Sequence, residues 1–219
     1  MDKNHLESII AKPYEFDIKE AFIQGWETFK KVKVYSILFT LLILSLQFFF
    51  MVYASDFLFV FSLFLAGPLF AGFYLVANKV SLNEPVLYPD FFKGFGYYIP
   101  VILVWIVGQF LTVLGIFALL VPGVYLMVAY MFGVLISIFA GMDFWNSLEY
   151  SRKIIHKQWT KFFVFGLILA IGNIAGAFLF GIGLVVTVPV TYYAIYHVFE
   201  SITQQSVSEE VTEENLISP

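Results

Sequence analysis

The chain has 219 residues, 60% of them hydrophobic and 20% aromatic but only 13% charged, whereas soluble domains carry nearer ~25% charge. With a mean hydropathy of +0.86, this composition defines an integral membrane protein and excludes a soluble globule. The net charge of −4, with no Lys/Arg cluster on a soluble module, argues against nucleic acid as a partner, and the absence of Cys excludes disulfides, thiolate metal sites and cysteine nucleophiles.

Residues 1–33 are mostly polar, too long and too polar to precede a secretory leader, so the first span is expected to stay in the mature protein. Within them Asp17 and Glu20 resemble a capping box, and Ile18, Phe22, Trp26 and Phe29 recur at helical spacing. An amphipathic helix at the membrane interface is predicted there.

Uncharged apolar runs then occupy 34–53, 57–77, 101–140 and 162–199. A hydrocarbon core of ~30 Å needs roughly 20 helical residues, so the first two runs are one span each. The last two are twice that length, with breakers near the middle at Pro122-Gly123 and at Gly181-Ile182-Gly183. Six spans are predicted, at about 34–53, 57–77, 101–121, 123–140, 162–180 and 182–199, arranged as three helical hairpins in an all-α fold with interfacial helices between them.

The charges test that count. Lys3, Lys12, Lys19, Lys30, Lys31 and Lys33 precede the first span, Lys79 and Lys93 follow the second, and Arg152, Lys153, Lys157 and Lys161 follow the fourth. All twelve basic residues sort to one face, and the other face carries only Asp56. The positive-inside rule then places both termini in the cytoplasm. Residues 200–219, with Glu200, Glu209, Glu210, Glu213 and Glu214, read as an acidic, disordered cytoplasmic tail.

Three times the chain shows Asp, an aromatic or aliphatic residue, two variable positions, a small residue and a hydrophobe, beginning at Asp17, Asp90 and Asp143. Each precedes a hairpin, and Pro68, Pro122 and Pro189 fall in or at the start of the second spans. Two readings stand: a threefold internal repeat, or coincidence in a Phe-rich composition.

Chemistry-bearing residues are few. The spans hold no ionisable group at mid-depth, and no His, Asp or Glu pair has metal-ligand spacing, so neither a metal nor a cofactor is expected. His197, beside Tyr192, Tyr193 and Tyr196, reads more readily as part of an interfacial aromatic belt than as a titrating site. Gln47, Gln109 and Asn173 lie within spans, where they are expected to bond neighbouring helices. Pro68 and Pro189 would kink their helices, and Gly166, Gly172, Gly176 and Ala177 read as a packing seam. The stretch from Asp143 to Trp159 places Phe144, Leu148, Ser151, Ile155 and Trp159 on one face. Arg152, Lys153 and Lys157 lie off that face, as a contact for anionic lipid headgroups or a determinant of topology alone.

Val121-Pro122-Gly123-Val124-Tyr125-Leu126, then the run from Gly141 through Asp143 to Ser151, then Trp159 resembles the core of the YciC-type family of bacterial inner-membrane proteins. A related membrane domain is attached to some glycerophosphodiester phosphodiesterases. The resemblance covers about 67–165, with Gly67-Pro68-Leu69 and Gly72 in register. It implies a polytopic helical bundle in the bacterial cytoplasmic membrane, and it carries over no catalytic residue. Roles in envelope integrity or lipid homeostasis have been suggested for relatives. The leading expectation is therefore a non-enzymatic protein that organises lipid or holds a membrane-protein partner. The alternative is a transporter or channel for an uncharged or lipid-like solute.

Overall fold

A computed structural model describes the backbone of residues 3–178 and 181–217 and the side chains as far as residue 205, outside the excluded pair 179–180. Helices α1 (Lys3–Ala11) and α2 (Ile18–Lys31) lead into α3 (Lys33–Tyr53). A continuous helical run, Ser55–Ser81, then comprises a 3-10 turn, α4 (Leu58–Val60), a π segment (Phe61–Leu65) and α5 (Ala66–Ser81). A 3-10 helix at Tyr88–Tyr97 precedes α6 (Tyr98–Ala118), α7 (Leu120–Ala129) and α8 (Gly133–Phe139). After them come α9 (Phe144–His156), α10 (Trp159–Phe178) and α11 (Leu184–Ile217).

Among the described residues, five helical segments are long and apolar enough to cross a membrane: Lys33–Tyr53, Ser55–Ser81, Tyr88–Ala118, Leu120–Phe139 and Trp159–Phe178. They divide into two kinds. The first, third and fifth are 22% buried, whereas the second and fourth are 56% and 50% buried, so α5 and α7–α8 are central and α3, α6 and α10 peripheral. The last two residues of the predicted fifth span, 179 and 180, lie outside the described residues.

Local chemistry explains the element ends. Asp17 accepts from the N–H groups of Lys19 and Glu20 to cap α2, and Asp143 accepts from those of Trp145 and Asn146 to cap α9. The reciprocal half of a capping box is not made at α2, since Glu20 accepts instead from Gln24 at 2.6 Å. Asp90 accepts from the N–H of Leu87 and is paired with Lys79 and Lys93 at 2.9 and 2.7 Å. The π segment ends three residues before Pro68, whose ring cannot accompany a regular α-helical turn. Trp105 braces that segment by donating to the carbonyl of Ser62 at 3.0 Å.

Three expectations are corrected here. The reversal between α6 and α7 falls at Leu119, which is extended (φ −161°, ψ 138°), and not at Pro122-Gly123. Pro122 instead occupies the first turn of α7, where a missing N–H leaves no intrahelical acceptor unpaired. Gly123 lies against Gly115 and Ile116, the close approach that makes this turn tight. Second, Leu120–Phe139 is broken at 130–132. Third, α11 continues to Ile217 where a disordered tail was expected. The stretch after Glu200 contains no Gly or Pro before Pro219, and its Glu and Gln residues propagate a helix already nucleated by packing. Gly181 has φ +76°, and Gly183 lies just before α11.

Each short helix between or before the long ones packs on a central or late span. The 3-10 helix Tyr88–Tyr97 lies on α5, α9 lies on α7 and α8, and α2 lies on α11. The first of these contacts depends on two glycines. A side chain at Gly72 would collide with the carbonyl oxygen of Phe91, and one at Gly94 with that of Pro68. Along α2 the buried face is Ala21, Gly25, Thr28 and Phe29. Of the predicted apolar stripe only Phe29 shares that face: Trp26 is exposed, Ile18 and Phe22 are half-buried, and these three lie beside Ile168 of α10.

Candidate functional site

Two polar features converge on α11. Within its middle, His197 joins α2 to the bundle. Its Nε2 lies 2.7 Å from Thr28 Oγ1, and its Nδ1 lies 3.1 Å from Glu200 Oε2. Glu200 also accepts from Ser81 and, at 3.2 Å, from Tyr196, whose hydroxyl accepts in turn from Asn78 at 2.9 Å. Burial opposes ionisation of Glu200, but His197 and Ser81 outweigh it and hold the carboxyl below the usual glutamate value. The relay forms the floor of a polar cleft of about 950 Å³ between α2, α11 and the end of α5. Gly25 meets the backbone of Ala194 alongside it, so α2 is seated closely and the relay is a latch between helices.

Hydroxyl, imidazole and carboxylate at these distances also have the order of a nucleophilic triad. Thr28, however, is almost wholly buried in the face that α2 packs on α11, and it sits mid-helix, where backbone N–H groups are already engaged and cannot stabilise an oxyanion. The arrangement therefore fastens α2 rather than presenting a nucleophile.

The basic residues proposed for headgroup contact have internal work. Lys157 Nζ donates to the carbonyls of Ile9 (3.2 Å), Ile10 (2.8 Å) and Lys12, closing the C-terminal end of α1. Burial lowers its pKa. Arg152 makes a two-pronged contact with Glu149 at 2.7 and 2.8 Å. Lys153 is exposed, with its Nζ 3.6 Å from the same carboxylate. The apolar face of α9 is likewise engaged within the protein. Leu148, Ser151 and Ile155 are buried together with Ser147, Tyr150 and Ile154, and Tyr14 of the α1–α2 connection donates to the carbonyl of Ile154 at 2.6 Å. The apolar face of α9 thus holds the bundle together.

The second feature is a half-open cavity of about 280 Å³ bounded by α5, α6, α7, the 130–132 break, α8, α9 and α11. Phe70, Trp105 and Tyr192 form aromatic walls, with Phe70 and Tyr192 stacked at 4.9 Å between ring centroids. Tyr74, Gln109, Thr112 and Tyr130 add polar side chains, and Leu148 closes one end. Among the described residues, no carboxylate, ammonium, guanidinium or imidazole lines it.

Of the three predicted intramembrane amides, only Asn173 bonds another helix, donating to Thr191 at 2.7 Å as well as to the Leu169 carbonyl. Gln109 lines the cavity, and Gln47 is exposed on peripheral α3. Pro189 lies inside α11, within a turn of both Thr187 and Thr191. The predicted glycine seam narrows to Gly176, which meets Gly183 and Thr187, whereas Gly172 faces open space. Sequence reasoning missed Thr28, Ser81, Tyr74, Trp105 and Tyr130. Only the tertiary fold brings them together, and the one available signal was their polar or aromatic character within or beside apolar runs.

Among the described residues no group of three or more His, Asp or Glu side chains could hold a metal ion. Compared with protein-family models, with curated proteins and with solved structures, the chain matches none.

Proposed function

We propose that this chain is a six-span, non-enzymatic protein of the bacterial cytoplasmic membrane, with both termini in the cytoplasm, that organises lipid. The observation that carries the reading is the division between peripheral and central spans. Broad apolar faces of α3, α6 and α10 remain exposed, including Phe48, Phe49, Phe110, Ile171 and Ile174, while a neutral cavity opens among the helices behind them. The sixth span is the apolar part of α11, about 24 Å for residues 184–199 at ~1.5 Å each, diluted in hydropathy by three tyrosines and His197.

The packing of the short helices supports the threefold reading. Each follows the hairpin on whose second span it packs: Tyr88–Tyr97 after α3–α5, and α9 after α6–α8. Helix α2 precedes all of them and lies on α11, in the place that a ring of three repeats leaves for it. The motif's small residue, Ala21, Gly94 or Ser147, is buried each time. The YciC-type resemblance accords with a membrane bundle of this kind.

The neutral cavity favours a second reading, a carrier for an uncharged or lipid-like solute. Purification in native lipid discs followed by mass spectrometry tests both. Enrichment of particular lipids over the surrounding membrane supports lipid organisation, and a bulk-like lipid profile with a stoichiometric protein partner contradicts it. If anionic lipid is recruited through α9, Lys153→Gln diminishes that enrichment, since one basic residue at an anionic surface is worth about 1 kcal/mol.

A further inference from the structure

The cavity behind α6 carries more polar groups than the protein uses. The residues that line it include Tyr74, Thr112, Tyr130, Tyr192 and Gln109, and neither the hydroxyls of the first four nor the amide of the last hydrogen-bonds to any described residue. Two other polar groups on the same wall are already engaged: Trp105 Nε1 donates to Ser62, and Thr191 Oγ1 donates to the Thr187 carbonyl at 2.8 Å. Five unpartnered groups around one space differ from a solvated surface, because four of them belong to helical segments long and apolar enough to cross a membrane. A polar group left without a partner in such surroundings is costly.

We infer that this cavity is a binding site for a neutral lipid whose small head carries hydroxyl or ester oxygens, of the monoacylglycerol type. The inference rests on the lipid reading above and names the ligand class. Charge is excluded by the lining, since nothing there would compensate a phosphate or an ammonium. Tyr74, Tyr130, Tyr192 and Thr112 can each donate to a carbonyl or accept from a hydroxyl, and Gln109 can do both at once. The hydrocarbon part is matched by Phe70, Trp105, Met127, Met131 and Val134. A volume of about 280 Å³ suits a head and the first part of a chain, with the remainder leaving toward the bilayer. Gln109 supports that route, because it is exposed on peripheral α6 while also lining the cavity.

The test uses the full chain in lipid discs with a monoacylglycerol that bears a photoactivatable diazirine near its head. Labelling is expected within 70–74, 105–112 and 127–134, and it is expected to be competed by unlabelled monoacylglycerol but not by lysophosphatidic acid of the same chain length. A triple variant, Gln109→Leu with Tyr130→Phe and Tyr192→Phe, keeps the shape and removes three polar contacts. Cavity labelling is expected to fall by at least about tenfold, with the thermal midpoint of the ligand-free protein unchanged or raised, because these groups have no internal partner to lose. Equal labelling of the variant, or equal competition by lysophosphatidic acid, overturns the proposal. So does labelling confined to the outer faces of α3 and α10, a result that leaves the broader lipid reading standing. A lowered midpoint in the variant also overturns it, by showing that the polar groups serve the fold.

Discussion

Ser151 mends the backbone break that ends at Phe132. Its Oγ accepts the N–H of Phe132 at 3.1 Å and donates to the carbonyl of Ala129 at 2.7 Å, so a side chain of α9 replaces helical hydrogen bonds lost between α7 and α8. Ser151 is fully buried, and no water is needed to satisfy either group. The break gives Tyr130 and Met131 their positions on the cavity wall, which links a single hydroxyl to the candidate site.

Ser151→Ala should therefore destabilise the protein by about 1–3 kcal/mol, the cost of a buried N–H left without a partner. Thermal unfolding in detergent measures this, and an unchanged midpoint would show that the break is satisfied in another way.

Gly72→Ala and Gly94→Ala should each cost about 1–3 kcal/mol or prevent accumulation of folded protein, because the added methyl meets a backbone oxygen that cannot swing aside. Gly172→Ala is the contrasting case. Open space surrounds that position, and alanine favours helix by about 1 kcal/mol, so a neutral or raised midpoint is expected. Melting curves of the three variants side by side decide the matter.

The Glu149–Arg152 contact predicts a pH dependence. Hydrogen bonding from Arg152 holds the Glu149 carboxyl below its ordinary value, so its contribution is present above the usual glutamate range and lost as pH falls through the lower folded value. Stability curves of the native protein and Glu149→Gln should converge as acid removes that contribution. Parallel curves from neutral pH to below pH 4 would show the contact to be without effect, as many exposed pairs are.

Much of this architecture could be read from residue order. Asp17 and Asp143 announced their helices because an acceptor just before an apolar periodic stretch caps free N–H groups, and Gly181 marked a turn that needs positive φ. Other features depend on contacts that spacing does not encode. Pro122 looks like a turn residue, yet it serves equally well in the first turn of a helix. The apolar stripe of α2 and its small-residue face compete as packing surfaces, and only the backbone of Ala194 against Gly25 decides between them. Lys157 reads as a free surface charge until α1, whose helix was not predicted, presents its terminal carbonyls. The cavity was legible only through Gln109, a lone amide in an apolar span.

The proposed topology has an even number of crossings, with both ends inside. Because the chain contains no Cys, single substitutions Asp56→Cys and Gln204→Cys can be probed in intact cells with a membrane-impermeant maleimide. Asp56→Cys should label from outside, whereas Gln204→Cys should label only after the membrane is permeabilised. Labelling of Gln204→Cys in intact cells would place the end of α11 outside and contradict the six-span account.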